Sequence, residues 1–254
     1  MPTADPALVQ ALETRLVNAW PALETQIVNT WIVRFAKGYS KRANAASPLV
    51  PGASLDEACI DQIVSQFEAY GLRPTFRLTT LQGPDVDERL ARRGFVEAEP
   101  TFGMVASLAD LTIEPEVAVE PSVTIEPQPK GRWLKEVAAS YGGDKADHTI
   151  LKEIVERIRL PAAFATLHLD ERPAAWGLAV AERGFVGFFD IVVAPDLRGL
   201  GLGRQMVCAL TTWGRNSGAT HAYLQVREDN EVARDLYRTL GFADAYRYTH
   251  RIKP

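Results

Sequence analysis

One stretch constrains this chain more than any other: Asp190-Ile191-Val192-Val193-Ala194-Pro195-Asp196-Leu197-Arg198-Gly199-Leu200-Gly201-Leu202-Gly203. An apolar run ends at Val193, a Pro-Asp step turns the chain, and a loop of form R-G-x-G-x-G follows. An amphipathic helix comes next, with Met206, Val207, Leu210 and Trp213 on one side. Strand, glycine loop and helix in that order suit an anion. Alternate glycines let successive backbone N–H groups turn toward one point without interference from a Cβ. A helix beginning near Gly203 adds its unpaired first-turn N–H groups and the positive end of its dipole. Arg198 and Arg204 bring fixed positive charge to the rim. The competing reading is a tight turn whose glycines serve packing alone; the flanking strand, the arginine and the helix favour the anion site.

The spacing narrows the ligand. A dinucleotide fingerprint needs G-x-G-x-x-G at the start of a βαβ unit, but Arg204 stands where its last glycine belongs and too little chain follows, which disfavours a nucleotide-dependent oxidoreductase. A P-loop needs G-x-x-x-x-G-K-[ST], and no Lys-Ser or Lys-Thr is in place. The loop resembles instead the acetyl-CoA motif [QR]-x-x-G-x-[GA] of the GNAT superfamily of N-acetyltransferases, filled by Arg198, Gly201 and Gly203. The resemblance continues through Asn230, Ala233, Leu236, Tyr237, Gly241 and Phe242, the N-x-x-A-x-x-L-Y-x-x-x-G-F block of the same family. It covers the last half of the chain and is sharpest from 188 to 250.

At 254 residues the chain has room for one large domain or two of average size. A net charge of −4 gives whole-molecule electrostatics no reason to favour nucleic acid. The two cysteines, Cys59 and Cys208, sit in helical patterns and read as buried thiols, not a disulfide framework. His148, His168, His221 and His250 show no ligand spacing with one another or with cysteine, so no metal is expected. No apolar run reaches membrane length and the N-terminus lacks a charged segment followed by an apolar one, so the expectation is a cytoplasmic protein, a monomer or homodimer, without a membrane partner.

Patterning gives a mixed α/β reading throughout. Asp5-Pro6 reads as N-cap and N1 of a helix carrying Leu8, Leu12, Leu16 and Trp20. Trp31, Val33 and Phe35 alternate as a strand, and Tyr39 to Leu49 is expected to return as a second. Ser54-Leu55-Asp56-Glu57 reads as a capping box opening a helix with Ile60, Ile63, Val64 and Phe67 buried and Gly71 at its end. Strands are expected at Phe76 and Leu78 and from Val96 to Leu108, with a helix over 84–93 between them. The Glu-Pro steps at 114–115 and 120–121 predict an extended junction, with the boundary near 118. Beyond it lie a strand at Val123 and Ile125, a helix from Trp133 to Tyr141, and a helix capped by Asp147 with Leu151, Ile154, Val155 and Ile158 buried. Residues 163–193 read as an antiparallel meander of three strands. A strand at 221–227, a helix at 231–240 and a strand alternating Tyr246, Tyr248 and His250 close the chain. Thr75–Leu108 and Tyr223–Ile252 share the order strand, helix, Gly-Phe, strand, so the first half reads as a degenerate copy of the second. The expected organisation is two GNAT-like domains in tandem, each a mixed sheet flanked by helices: 1–118 without a cofactor motif and 119–254 catalytic. Leu90 stands where Tyr237 stands in the second copy, and no R-x-x-G-x-G precedes residue 198. The polar stretch Gly38–Asn44 reads as a solvated hairpin end or a recognition loop.

The resemblance implies an acetyl-CoA-dependent N-acetyltransferase acting on a primary amine of a small molecule or peptide, with no metal. It implies that the strand ending at Val193 and the strand at 221–227 splay, that the backbone of Ile191, Val192 and Val193 bonds the pantetheine arm, and that the amides of Arg198, Gly199, Leu200, Gly201, Leu202, Gly203 and Arg204 hold the pyrophosphate. Asn230 resembles a contact to the cofactor arm and reads equally as an N-cap; Ala233 lies in the same block. Tyr237 is placed by the motif to protonate the departing thiolate, the competing role being an aromatic packed beside Leu236 and Leu240. Asp190 is a candidate base or the partner of an arginine; Glu228 and Asp229 are weaker candidates. Tyr141, Gly142, Gly143 and Asp144 are candidates for the acceptor side. The alternative function is a sensor or scaffold that binds acyl-CoA without turnover.

Overall fold

The computed structural model describes residues 5–111, 122–140 and 145–254. In chain order its elements are α1 (Pro6–Ala19), β1 (Glu24–Val28), β2 (Trp31–Phe35), β3 (Ala46–Pro48), α2 (Glu57–Ala69), β4 (Thr75–Leu78), α3 (Val86–Arg92) and β5 (Val96–Ser107). They continue with β6 (Ser122–Glu126), α4 (Gly131–Ser140), α5 (Lys145–Val155), β7 (Ala162–Leu169), β8 (Arg172–Glu182), β9 (Phe185–Val193), α6 (Leu202–Asn216), β10 (His221–Arg227), α7 (Glu231–Leu240) and β11 (Ala243–Ile252). The chain forms two compact units that are not contiguous in sequence. The first takes the chain up to Gly103 with Val226–Asn230 and Asp244–Pro254; the second takes Met104–Gln225 with Glu231–Ala243. The expected boundary near 118 lies outside the described residues.

In the first unit the strand order is β1-β2-β3-β4-β11-β5. The last strand of the chain is inserted between two strands of its first half, with Thr249 opposite Leu78 and His250 opposite Arg77. All five residues of β2 are buried, because both faces of the sheet are covered; alternation seen in the sequence is therefore not solvent alternation. On one face Trp31, Phe35, Ile60, Ile63, Phe67, Phe76, Leu90 and Phe95 share a core, with Trp31 and Phe95 each edge-on to Phe76. Asp5 caps α1 as expected, its carboxylate accepting from the Ala7 N–H at 3.0 Å. Two local expectations are corrected and one strand is new. The cap of α2 is Asp56, which accepts the Cys59 N–H at 2.8 Å, so the helix starts two residues later than a Ser54 box implies. Tyr39–Leu49 is mostly loop and a 3₁₀ turn at Lys41–Ala43, with only Ala46–Pro48 as strand, because the Asn44 side chain takes over the turn's backbone groups. Strand β1, with four of its five residues exposed, carries no apolar period to betray it.

The second unit has the order β5-β10-β9-β8-β7-β6. Strands β7, β8 and β9 are the expected antiparallel meander. Its turns have both central residues at positive φ, Asp170-Glu171 and Arg183-Gly184, the geometry that suits strand twist in two-residue hairpins. Asp147 lies in the first turn of α5, which begins at Lys145, and is not its cap.

The internal repeat has a geometric signature. Helix α3 ends with Phe95 N–H donating to Leu90 O at 3.1 Å and Gly94 N–H to Ala91 O at 2.9 Å. Helix α7 ends with Phe242 N–H donating to Tyr237 O at 3.0 Å and Gly241 N–H to Arg238 O at 3.0 Å. Both are Schellman closures, with the glycines at φ 82° and 107°. Leu90 and Tyr237 thus occupy the same position in two copies of one helix stop.

Candidate active site

Strand β9 carries a bulge where the sequence places Asp190. Trp176 faces Val192 and Leu178 faces Phe189, so Gly177 alone opposes Asp190 and Ile191. Asp190 takes φ 48°, a conformation that aspartate tolerates better than most residues, and is 6% exposed. Gly177 opposite leaves little room: an added Cβ would lie 3.0 Å from Leu210 Cδ1 and 3.1 Å from Met206. Past the bulge, β9 parts from its parallel neighbour. The ladder with β10 joins Phe185–Phe188 to His221–Leu224 and goes no further, so Ile191, Val192 and Val193 lie beyond its end, half-buried and bonded on the β8 side.

Pro195–Leu197 forms one 3₁₀ turn and leads into the glycine loop. Gly199 and Gly201 lie at φ 80° and 75°, and Gly201 is the N-cap of α6. Gly203 differs from the expected pattern. It is already helical, and a Cβ there would make ordinary contacts, 3.4 Å from Leu236 Cδ2 and 3.8 Å from Val193 Cγ2. Two glycines turn the backbone, and the third sits where α6 faces α7 and the end of β9. Leu197 N–H donates to Ala194 O at 2.9 Å and Gln205 N–H to Gly201 O at 3.2 Å. Between them, the amides of Arg198 through Arg204 donate to no group among the described residues, and Arg198–Gly201 are exposed. This is a run of backbone donors on the positive end of a 15-residue helix, facing solvent. Buried Leu202, Met206, Val207 and Leu210 fix the helix beneath it.

The two arginines behave differently. Arg198 is exposed, whereas Arg204 donates from Nη2 to Thr239 Oγ1 at 3.1 Å, and that hydroxyl donates to Leu236 O at 2.8 Å. Arg204 therefore holds α6 to α7, a role that the motif does not announce. Ala233 is half-buried on α7, whose start is preceded by a turn in which Asn230 N–H donates to Arg227 O at 3.1 Å; Asn230 itself belongs to the first unit.

Tyr237 is 8% exposed, with its ring edge-on to Phe242, which in turn meets Phe188. The ring is packed, as the competing reading expected, and the hydroxyl bonds to no group among the described residues. Burial pushes its pKa up to about 12, so it stays protonated at neutral pH. The weaker base candidates are engaged by arginines. Glu228 pairs with Arg247 at 3.0 Å, and Asp229 pairs with Arg227, which holds its carboxyl below the ordinary range. The acceptor-side candidates Tyr141–Asp144 lie outside the described residues. Among the described residues no group of three or more His, Cys, Asp or Glu is placed to hold a metal, and no helix is long and apolar enough to cross a membrane.

Known proteins resemble this chain over most of its length. The family model described as probable histone acetyltransferase Rv0428c C-terminal matches residues 6–251. An uncharacterized N-acetyltransferase, YobR of Bacillus subtilis (strain 168), is 27% identical over 246 residues, 96% of this chain and 98% of that protein. Among solved structures, a GCN5-related N-acetyltransferase from Kribbella flavida superposes with a TM-score of 0.73 at 17% identity, covering 99% of this chain and 96% of that one. A tandem GNAT protein from the clavulanic acid biosynthesis pathway superposes with a TM-score of 0.60 at 14% identity, over 83% of this chain and 75% of that one.

Proposed function

Because this chain belongs to the GNAT-type acetyltransferase family described as probable histone acetyltransferase Rv0428c C-terminal, we propose that it moves an acetyl group from acetyl-CoA to a primary amine of a small molecule or peptide, by direct attack. The observation that carries the reading is the run of backbone donors from Arg198 to Arg204 at the head of α6, set against the open end of β9. A diphosphate matches those donors in charge and in hydrogen-bonding capacity. The backbone of Ile191–Val193, past the end of the β10 ladder, would take the amide-bearing arm as an added strand takes its neighbour.

Bound acetyl-CoA supplies the activated thioester. The chain's residues handle two protons. An alkyl ammonium, with a pKa near 10, is free base in only about one molecule in a thousand at pH 7, so a proton must leave before attack. Asp190, at the bulge beside the open strand, is proposed to receive it directly or through water, since Glu228 and Asp229 are held by arginines. Tyr237 serves the other end. Its pKa of about 12 lies above the ~8.5 of an ordinary thiol, so its hydroxyl stabilises the departing sulfur by donating a hydrogen bond more readily than by giving up the proton outright.

A panel of amines with acetyl-CoA, following free thiol release, tests the reading. Amine-dependent release is the expected result. Saturable acetyl-CoA binding with no release for any amine would support the sensor or scaffold alternative.

A further inference from the structure

Two arginines of the first unit's sheet, Arg34 and Arg77, are buried, and so is one carboxylate of α1, Glu13. Arg77 on β4 is held by Glu13 of α1, with Nε and Nη2 donating at 2.9 and 2.7 Å, and its guanidinium lies 3.3 Å from the centre of the Tyr248 ring. Tyr246 shares the same carboxylate. Arg34 on β2, 3% exposed, has no carboxylate of its own: it donates to the backbone carbonyls of Arg42, at 2.8 Å, and Trp20. Its pKa is pushed down to about 10 by burial and then by Arg77. His250, opposite Arg77 on β11, is 3% exposed, and neither ring nitrogen has a partner among the described residues. The Ser40 hydroxyl is likewise buried and without a partner, at a backbone φ of 57° that serine rarely adopts. Lys41 follows it; together with Arg77 it bears electrostatically on His250. At the rim Lys41 pairs with Glu99 at 2.7 Å, their side chains 38% and 32% exposed.

A buried guanidinium bonded only to backbone carbonyls and a buried imidazole whose ring nitrogens have no partner are both costly. Here they lie in one charge cluster whose exposed edge is a lysine. We propose that this cluster is a second binding site, for the oxyanion group (carboxylate or phosphate) of a small ligand. The anion replaces the Glu99 carboxylate on Lys41 Nζ and accepts from the neutral His250 ring and the Ser40 hydroxyl. Arg34 and Arg77 supply the positive field behind it. The polar stretch from Gly38 to Asn44 is then a binding loop, held in shape by the four hydrogen bonds of the Asn44 side chain. The site lies in the first unit and does not depend on acyl transfer in the second.

The test is thermal unfolding of the full chain titrated with inorganic phosphate and, separately, with sodium acetate, each against sodium chloride at matched ionic strength. A saturable rise in Tm beyond the chloride control is expected, since a ligand of the folded state stabilises it by mass action. The arm that saturates at lower concentration identifies the oxyanion. Lys41→Gln should weaken the apparent affinity at least tenfold, and Glu99→Gln should tighten it by removing the internal competitor. The effect should persist in Gly201→Asp, which blocks the loop of the second unit, so failure here is distinct from failure of the acyl-transfer reading. Shifts that never saturate, that match chloride, or that are the same in wild type, Lys41→Gln and Glu99→Gln would overturn the site.

Discussion

Tyr237 and His250 are two buried side chains with opposite electrostatic settings. Tyr237 is raised by desolvation alone, so its hydroxyl keeps its proton throughout the neutral range. Tyr237→Phe is expected to lower kcat roughly tenfold or more, with acetyl-CoA affinity by calorimetry little changed. Asp190→Asn should depress the rate most at neutral pH and least at alkaline pH, where the amine is already free; an equal loss at every pH would assign Asp190 a structural role. His250 is lowered from 6.5 to about 3, by burial first and then by Arg77 and Lys41. The unfolded chain therefore binds a proton at this residue between those values and the folded chain does not. The resulting stability is present above pH 6.5 and is lost as the pH falls toward 3. Between pH 7 and pH 5 the wild type should lose about 2 kcal/mol relative to His250→Gln, read from urea midpoints at the two pH values. Parallel pH profiles of the two proteins would contradict this.

The two Schellman closures offer a comparison within one molecule at the scale of the element. Gly94 and Gly241 both need a left-handed backbone, so alanine at either should cost about 1–2 kcal/mol by thermal unfolding. Gly241→Ala alone should also lower kcat, because only its helix carries a tyrosine where the other carries Leu90. These features differ in how far the sequence discloses them. The loop and the G-F stop were legible because glycine at positive φ is a local requirement, written in the residue itself. Gly203 looks in sequence like Gly199 and Gly201, yet it is already helical, a difference that the glycine itself does not disclose. The Arg204–Thr239 bond was invisible, since it joins residues far apart in sequence. Asp190 stands out in the sequence for its charge; the bulge around it follows from the register against β8, which no local pattern records.

The whole molecule reuses its ends. Strand β11 follows the helix that bears Tyr237, yet lies between β4 and β5 of the first unit, where Tyr246 bonds Glu13 and Arg251 makes a two-pronged pair with Asp87 at 2.7 and 2.8 Å. A linear reading of the sequence, divided at one boundary, has no means of seeing such an insertion. Deleting residues 243–254 should therefore unfold the first unit, seen as solvent exposure of Trp20 and Trp31 by fluorescence, and not merely fray a terminus. In the second unit, the amides at the head of α6 are proposed to hold the diphosphate of the acyl donor. The most direct measurement is a ¹H–¹⁵N correlation spectrum of the chain titrated with CoA. The amides from Arg198 to Arg204, with Gly199 and Gly201 foremost, should show the largest shifts and saturate together. Saturation elsewhere in the spectrum with those signals unmoved would contradict it.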